Sequence, residues 1–125
     1  MAGFNPELAG ESYCYLTTTG RVTGDPHTIE IWFGMASDGR ALYLLSGGGD
    51  RSDWVRNLRA DPTVTVRLSS READEVAATA RAVESGDEDE AARRLLAVKY
   101  QGWDDTRAMS SWARTALPIA VEPVR

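Results

Sequence analysis

YCYLTTTGRVTGDPHTIEIWFGMASDGRALYLLS, residues 13–46, is the stretch whose reading decides the fold. Tyr13 to Thr19 alternates aromatic or apolar residues with β-branched ones, the texture of a half-buried strand. Gly20 to Pro26 then brings together two glycines and a proline, which is turn chemistry. Thr28 to Met35 reads as one continuous second strand. Its period of two puts Ile29, Ile31 and Phe33 on one face and Thr28, Glu30 and Trp32 on the other. Asp38-Gly39 is a type I′ hairpin signal, and Ala41 to Ser46 returns as the paired strand.

Outward from this stretch the texture changes. Residues 1–12 read as an N-terminal arm with a turn of helix after Pro6, and residues 13–125 as a single domain. Gly47-Gly48-Gly49 is a loop. Ser52 is a suitable N-cap for a short helix through Ala60, with Trp54 and Leu58 on its buried stripe. Asp61-Pro62 ends it, because the residue before a proline resists the α region. Thr63 to Leu68 alternates as a strand. Glu75 to Val83 is its expected partner, although the alanines there also suit a helix. Asp87 with Glu90 resembles a capping box opening a helix over Glu88–Tyr100. Residues 101–116 have no clear period. Leu117 to Val124, with Pro118 and Pro123 inside it, fits an edge or closing strand. Short strands with two interposed helices predict an α+β, mainly β barrel.

Composition sets the outer bounds. A chain of 125 residues with 42% apolar and 26% charged residues has the size and balance of one folded domain. No window approaches the roughly 18 consecutive apolar residues of a membrane helix. MAGFNPELAGESY lacks the features of a signal peptide, and the single Cys14 forms no internal disulfide, so a cytoplasmic location is expected. The net charge of −5 argues against general nucleic-acid binding. The charge is uneven, however. Arg51, Arg56, Arg59, Arg67 and Arg71 outnumber Asp53 and Asp61, and residues 72–90 are strongly acidic. The basic stretch suits either a solvated face or a small anionic ligand.

The catalytic inventory is thin. His27 is the only histidine and Cys14 the only cysteine, which excludes His-pair zinc sites and CxxC centres. Neither a nucleophile elbow nor a phosphate-binding glycine motif is present. An enzyme so poor in nucleophiles borrows its reactivity from a cofactor. Local features bear on this. Gly47-Gly48-Gly49 leads into a helix N-terminus, which suits either a plain loop or the seat of an anion or polarised ring edge. Thr17-Thr18-Thr19-Gly20-Arg21 is either a plain strand end or a phosphate-binding turn. Glu30 faces a ligand if its side of the strand lines a cleft, and solvent if that side is the barrel exterior.

YLTTTGRVTGDPHTIEIWF, the DG hairpin and SGGGDRSDWVRNLRADPTVTVRL together resemble the deazaflavin-dependent nitroreductase family of split β-barrel oxidoreductases, which use coenzyme F420. The TTTGR-x-[ST]-G-x-P turn and the W-x-x-N-L-x-A-[DN]-P helix recur in that family in this order and spacing. KYQGWDDTRAMSSWARTALPIAVEP is similar to its C-terminal aromatic segment and last strand. The resemblance spans residues 13 to 123 and implies a split barrel of the FMN-binding, pyridoxamine-phosphate-oxidase-like type.

What the resemblance implies can be placed residue by residue. The cofactor's phosphate and tail would follow Thr19, Gly20 and Arg21, with His27 beside them. The deazaflavin ring would sit near Trp32, Phe33, Ser46, Gly47 and Gly48, under the loop ahead of Trp54. Asn57 matches the family's helix asparagine. Tyr100 and Trp103 fall where substrate-facing aromatics are expected, Tyr100 doubling as a proton donor and Glu30 facing the substrate. The chain departs from the family pattern where Val22 and His27 replace basic residues and where the glycine loop lacks a lysine, so Arg51 or Arg56 would have to compensate. The implied activity is hydride transfer from reduced F420 to a quinone, activated alkene or nitroaromatic. The alternatives are an FMN-dependent oxidoreductase and a non-catalytic ligand-binding protein. No metal or membrane span is expected, and a homodimer is.

Overall fold

A computed structural model describes residues 3–36, 38–84 and 86–124; Met1 and Ala2 of the expected arm, and Arg125, lie outside them. The strands are β1 (Cys14–Thr19), β2 (Pro26–Ile31), β3 (Gly34–Met35), β4 (Leu42–Ser46), β5 (Thr63–Leu68), β6 (Val76–Ala82) and β7 (Leu117–Pro123). The helices are α1 (Asp53–Ala60), α2 (Gly86–Gln101) and α3 (Ser111–Thr115). All pairings are antiparallel, in the order β2-β1-β5-β6-β7-β4-β3. The two edge strands, β2 and β3, are consecutive in the chain and separated only by Trp32 and Phe33. The sheet therefore curls until this link bridges its edges, giving a mainly-β half-barrel.

That link corrects the expectation of one strand over Thr28–Met35. At Phe33 the sheet ladder is replaced by side chains of α2. The Phe33 N–H donates to Tyr100 Oη at 3.0 Å, and its carbonyl accepts from Lys99 Nζ at 2.9 Å. Gly34 then lets β3 pass close to α2, since a Cβ there would stand 2.9 Å from Leu95 Cβ. Burying half of Lys99 in this position pushes its ammonium pKa down.

β7 is not an edge strand either. It lies between β6 and β4, its prolines near its two ends, so Ile119 to Val121 pair on both sides. The Glu75–Val83 partner strand is present as β6, paired with β5. The expected capping box does not form: α2 already starts at Gly86, and the Glu90 carboxylate bonds Arg94 Nε. A third helix, α3, is added to the two expected, capped by Ser110 Oγ accepting from Ala113 N–H at 3.1 Å.

β4 is buried along its whole length and divides the interior. Leu42 and Leu44 pack into the barrel core with Leu16, Phe33, Leu58 and Ile119. Tyr43 and Leu45 pack on the other side with Leu96, Ala116 and Ala120. On the α1 stripe Val55 and Leu58 are buried, whereas Trp54 is half-buried. Phe4 is buried in the barrel core, and its N–H donates to the Gly39 carbonyl at 2.8 Å. Gly39 has φ +76°, and a Cβ there would collide with the Phe4 carbonyl, so this approach requires glycine. Among the described residues no helix is long and apolar enough to cross a membrane.

Candidate functional site

The turn after β1 closes on itself, Gly20 N–H donating to the Asp25 carbonyl at 2.7 Å and Gly24 N–H to the Gly20 carbonyl at 2.8 Å. This throws Arg21 across α1. Asn57 Oδ1 accepts from the Arg21 backbone N–H at 3.2 Å and from Nη1 at 2.8 Å, while its Nδ2 donates to Thr18 Oγ1 at 3.3 Å. Asn57 is buried, so these bonds offset the cost of removing its amide from water. Asp53 holds Arg21 Nη2 at 3.2 Å. Its carboxylate is mostly exposed, so the pair is weak and an incoming anion can displace it. A cleft of about 540 Å³ opens here, lined by Gly20, Arg21, His27, Thr28, Trp54 and Asn57 among others. The His27 ring lies over Gly20, where a Cβ would stand 2.7 Å from Nε2.

A second hollow of about 490 Å³ follows along the same strand, lined by Tyr13, Glu30, Ile31, Trp32, Leu45, Gln101 and Trp112. Its aromatic wall is assembled from distant segments. Trp32 stacks on Tyr100 with ring centroids 4.3 Å apart and planes 3° apart, and Trp112 meets it edge-on at 5.5 Å. Tyr100 Oη accepts from Phe33 N–H and donates to the Ser12 carbonyl at 2.8 Å. Burial pushes its phenol pKa up. Glu30 Oε2 accepts from Tyr15 Oη at 2.7 Å, which raises the Tyr15 phenol pKa.

The residues expected at the site divide accordingly. Gly20, Arg21, His27, Trp54 and Asn57 meet in the polar cleft, and Glu30 and Trp32 in the aromatic hollow. Thr19 borders a smaller depression beside β5. Phe33 points into the barrel core and offers the site only its backbone. Ser46 is buried behind the glycine loop, Oγ donating to the Gly49 carbonyl at 3.2 Å and lying 2.9 Å from Ser52 Oγ. Ser52 therefore stands at the N-cap of α1 without capping it. Gly47 backs Trp112, and Gly48 makes room for Ser52.

Tyr100 supports Trp32 through its ring and engages backbone through its hydroxyl, a geometry unlike that of a free proton donor. Trp103 stands apart from the hollow. Gly102, at φ +58°, turns the chain away at the end of α2, and Trp103 Nε1 donates to the Arg107 carbonyl at 2.8 Å while Arg94 lies over the ring. The residues missed in the sequence include Asp53 of the cleft, Tyr13 and Gln101 of the hollow and, most consequentially, Trp112, delivered by α3. Its only sequence signal was a tryptophan following a Ser-Ser N-cap pattern in the stretch without clear period. Arg51 and Arg56 do not line the cleft, and Arg56 Nε donates to the Asp50 carbonyl at 2.9 Å.

A family model described as F420H(2)-dependent quinone reductase matches residues 3–123. Among solved structures, the fold is similar to that of an F420 reductase, with TM-score 0.66 and 20% identity over 100% of this chain and 96% of that one. A conserved hypothetical protein from Mycobacterium tuberculosis gives TM-score 0.78 and 19% identity over 96% and 78% of the two chains. A heme storage protein from Vibrio cholerae gives 0.70 and 14% over 95% and 87%. At these identities the likeness is one of fold, and the curled sheet is that of the split β-barrels.

Proposed function

This chain belongs to the F420H(2)-dependent quinone reductase family, and from that membership we propose that it reduces a quinone-like acceptor with F420H2 bound along the polar cleft. One observation carries the reading: the two hollows are consecutive on a single strand. His27, Thr28 and Ile29 border the first, and Glu30, Ile31 and Trp32 the second. The guanidinium of the first suits an anionic tail, and the second suits flat rings, the deazaflavin on the Gly47-Gly48 side and the acceptor against Trp32.

The donor set fits such a group. Arg21 and His27 offer cationic or N–H contacts to a phosphate, Gly20 leaves the turn without a side chain, and Thr19 borders its far side. Gly20, Arg21 and His27 would hold the tail, with Thr19 backing the turn from its far side. The Phe33 backbone, Gly47 and Gly48 would frame the ring under the loop ahead of Trp54, with Trp32 between ring and acceptor and Asn57 and Ser46 holding the loops. When bound, reduced F420 supplies the hydride. The chain's own contribution is orientation and a partly dry pocket. Trp32, held by Tyr100 and Trp112, presents the acceptor, and Glu30 borders it. Reduction of a quinone to a hydroquinone takes up one hydride and one proton, the proton coming from water at the open mouth of the pocket. A homodimer and a cytoplasmic location belong to the same reading.

The test is a fluorescence titration of the protein with oxidised F420, with FMN in parallel. Saturable F420 binding at micromolar or tighter affinity, weakened at least tenfold by Arg21→Ala, is the expected result. Saturation by FMN without F420 binding would overturn the cofactor assignment, and binding without turnover of any quinone would overturn the reaction.

A further inference from the structure

The aromatic hollow is lined by apolar and aromatic groups, one amide and one charge, that of Glu30. Antiparallel register sets Glu30 opposite Tyr15, and the 2.7 Å hydrogen bond from the Tyr15 hydroxyl holds Oε2 in place. Among the described residues Glu30 makes no ion pair. Of the arginines on that side, Arg67, opposite Tyr15 on β5, pairs with Glu75 at 3.0 Å, and Arg71 lies over the face of the Tyr15 ring, 4.7 Å from its centroid. An oriented carboxylate without a compensating cation thus borders a flat aromatic slot. Glu30 is exposed at the rim of the slot, so its field reaches the slot through water and is screened by salt.

We propose that Glu30 is a specificity-determining residue, a charge filter through which the slot accepts planar acceptors bearing a cationic or hydrogen-bond-donating group and rejects those bearing an anionic one. This rests on the reading of the hollow as the acceptor site. Three features act in the same direction. The carboxylate attracts the cation, the exposed part of Trp32 offers a cation–π contact, and an anion placed there meets the repulsion of the carboxylate. The Gln101 amide carries no charge, and its Oε1 accepts from Ser110 Oγ at 2.9 Å.

The test titrates the cofactor-free protein, by quenching of tryptophan fluorescence, with three probes of matched shape: 1,4-naphthoquinone, its 2-sulfonate, and the same ring carrying a trimethylammonium group. The expected order of affinity is cation, then neutral ring, then anion, with at least a tenfold spread in Kd between the charged probes. Glu30→Gln keeps an acceptor for Tyr15 and brings that spread to within about twofold, and added salt narrows it in the wild type. Glu7→Gln removes the same charge from the exposed N-terminal arm and leaves the spread intact. An unchanged ratio in Glu30→Gln, an equal change in Glu7→Gln, or absence of saturable binding by all three probes would overturn the proposal. F420 titration separates this from the parent reading. A protein that sorts the probes but does not bind F420 keeps the filter and loses the F420 assignment. One that binds F420 without sorting them does the reverse.

Discussion

The polar cleft and the aromatic hollow share β2 and are built by opposite means. The cleft is fastened by hydrogen bonds between a turn and a short helix, with one buried amide, Asn57, tying Thr18 and Arg21 together. The hollow is fastened by ring contacts among Trp32, Tyr100 and Trp112, and its only charge is peripheral. Loss of one atom at the first end leaves partners unsatisfied. Loss at the second end leaves space. The two ends should therefore fail differently.

The largest effect is expected at the hydrogen-bonded end. Asn57→Ala removes an acceptor and a donor from a buried position and should lower the unfolding free energy by about 3 kcal/mol in urea melts. F420 affinity should fall more than tenfold with it, because Arg21 loses its anchor. A loss below about 1 kcal/mol would mean that the turn is held mainly by its own backbone bonds. Trp32→Ala comes next, costing about 2 kcal/mol through the lost stack and the apolar area the indole buries. It should weaken acceptor binding while leaving the response of F420 affinity to Arg21→Ala intact. Trp112→Ala should likewise raise KM for the acceptor. Trp103→Ala, outside the hollow, loses the Nε1 bond to Arg107 and the contact with Arg94 and should cost about 1 kcal/mol, yet turn over normally.

Comparable in size is Tyr100→Phe. The ring stack survives and the hydroxyl bridge to Ser12 and Phe33 is lost, for about 1 kcal/mol of stability. If Tyr100 is a strut, kcat and its pH profile should match wild type. A fall of tenfold or more in kcat would restore it as the proton donor. His27→Ala is the mildest change. It uncovers Gly20 and should alter stability by less than about 0.5 kcal/mol, with F420 affinity changing about twofold.

The same contrast explains what was legible in the sequence. The polar end is written in compact local patterns: Thr17 to Arg21 is a strand running into a turn, and Trp54 to Pro62 is a helix with its stop. These bring Gly20, Arg21, Trp54 and Asn57 together. The aromatic end depends on where the end of α2 and the five-residue α3 dock. Neither periodicity nor turn chemistry encodes that, so Trp103 was expected where Trp112 stands. Strand existence was legible almost throughout, even for the alanine-rich β6. Strand position was less so. The break at Trp32-Phe33 reflects side chains of Lys99 and Tyr100 competing with the sheet for backbone groups, and the interior place of β7 depends on both neighbours satisfying its amides. Period-2 alternation is silent on both.

The Trp32-Phe33 link makes the protein its own folding reporter. Its backbone is anchored by residues 67 positions away in the chain, so the sheet's edges meet only when a long-range loop has closed. Such contacts carry a large entropic cost before they return any stability, and they form late and slowly. The tryptophan at this junction changes from solvated to stacked in the same event. In a chain with Trp54 and Trp103 replaced by phenylalanine, the emission of Trp32 and Trp112 should lag behind the backbone circular dichroism during refolding. A flat ligand seated in the slot should slow unfolding in proportion to its affinity.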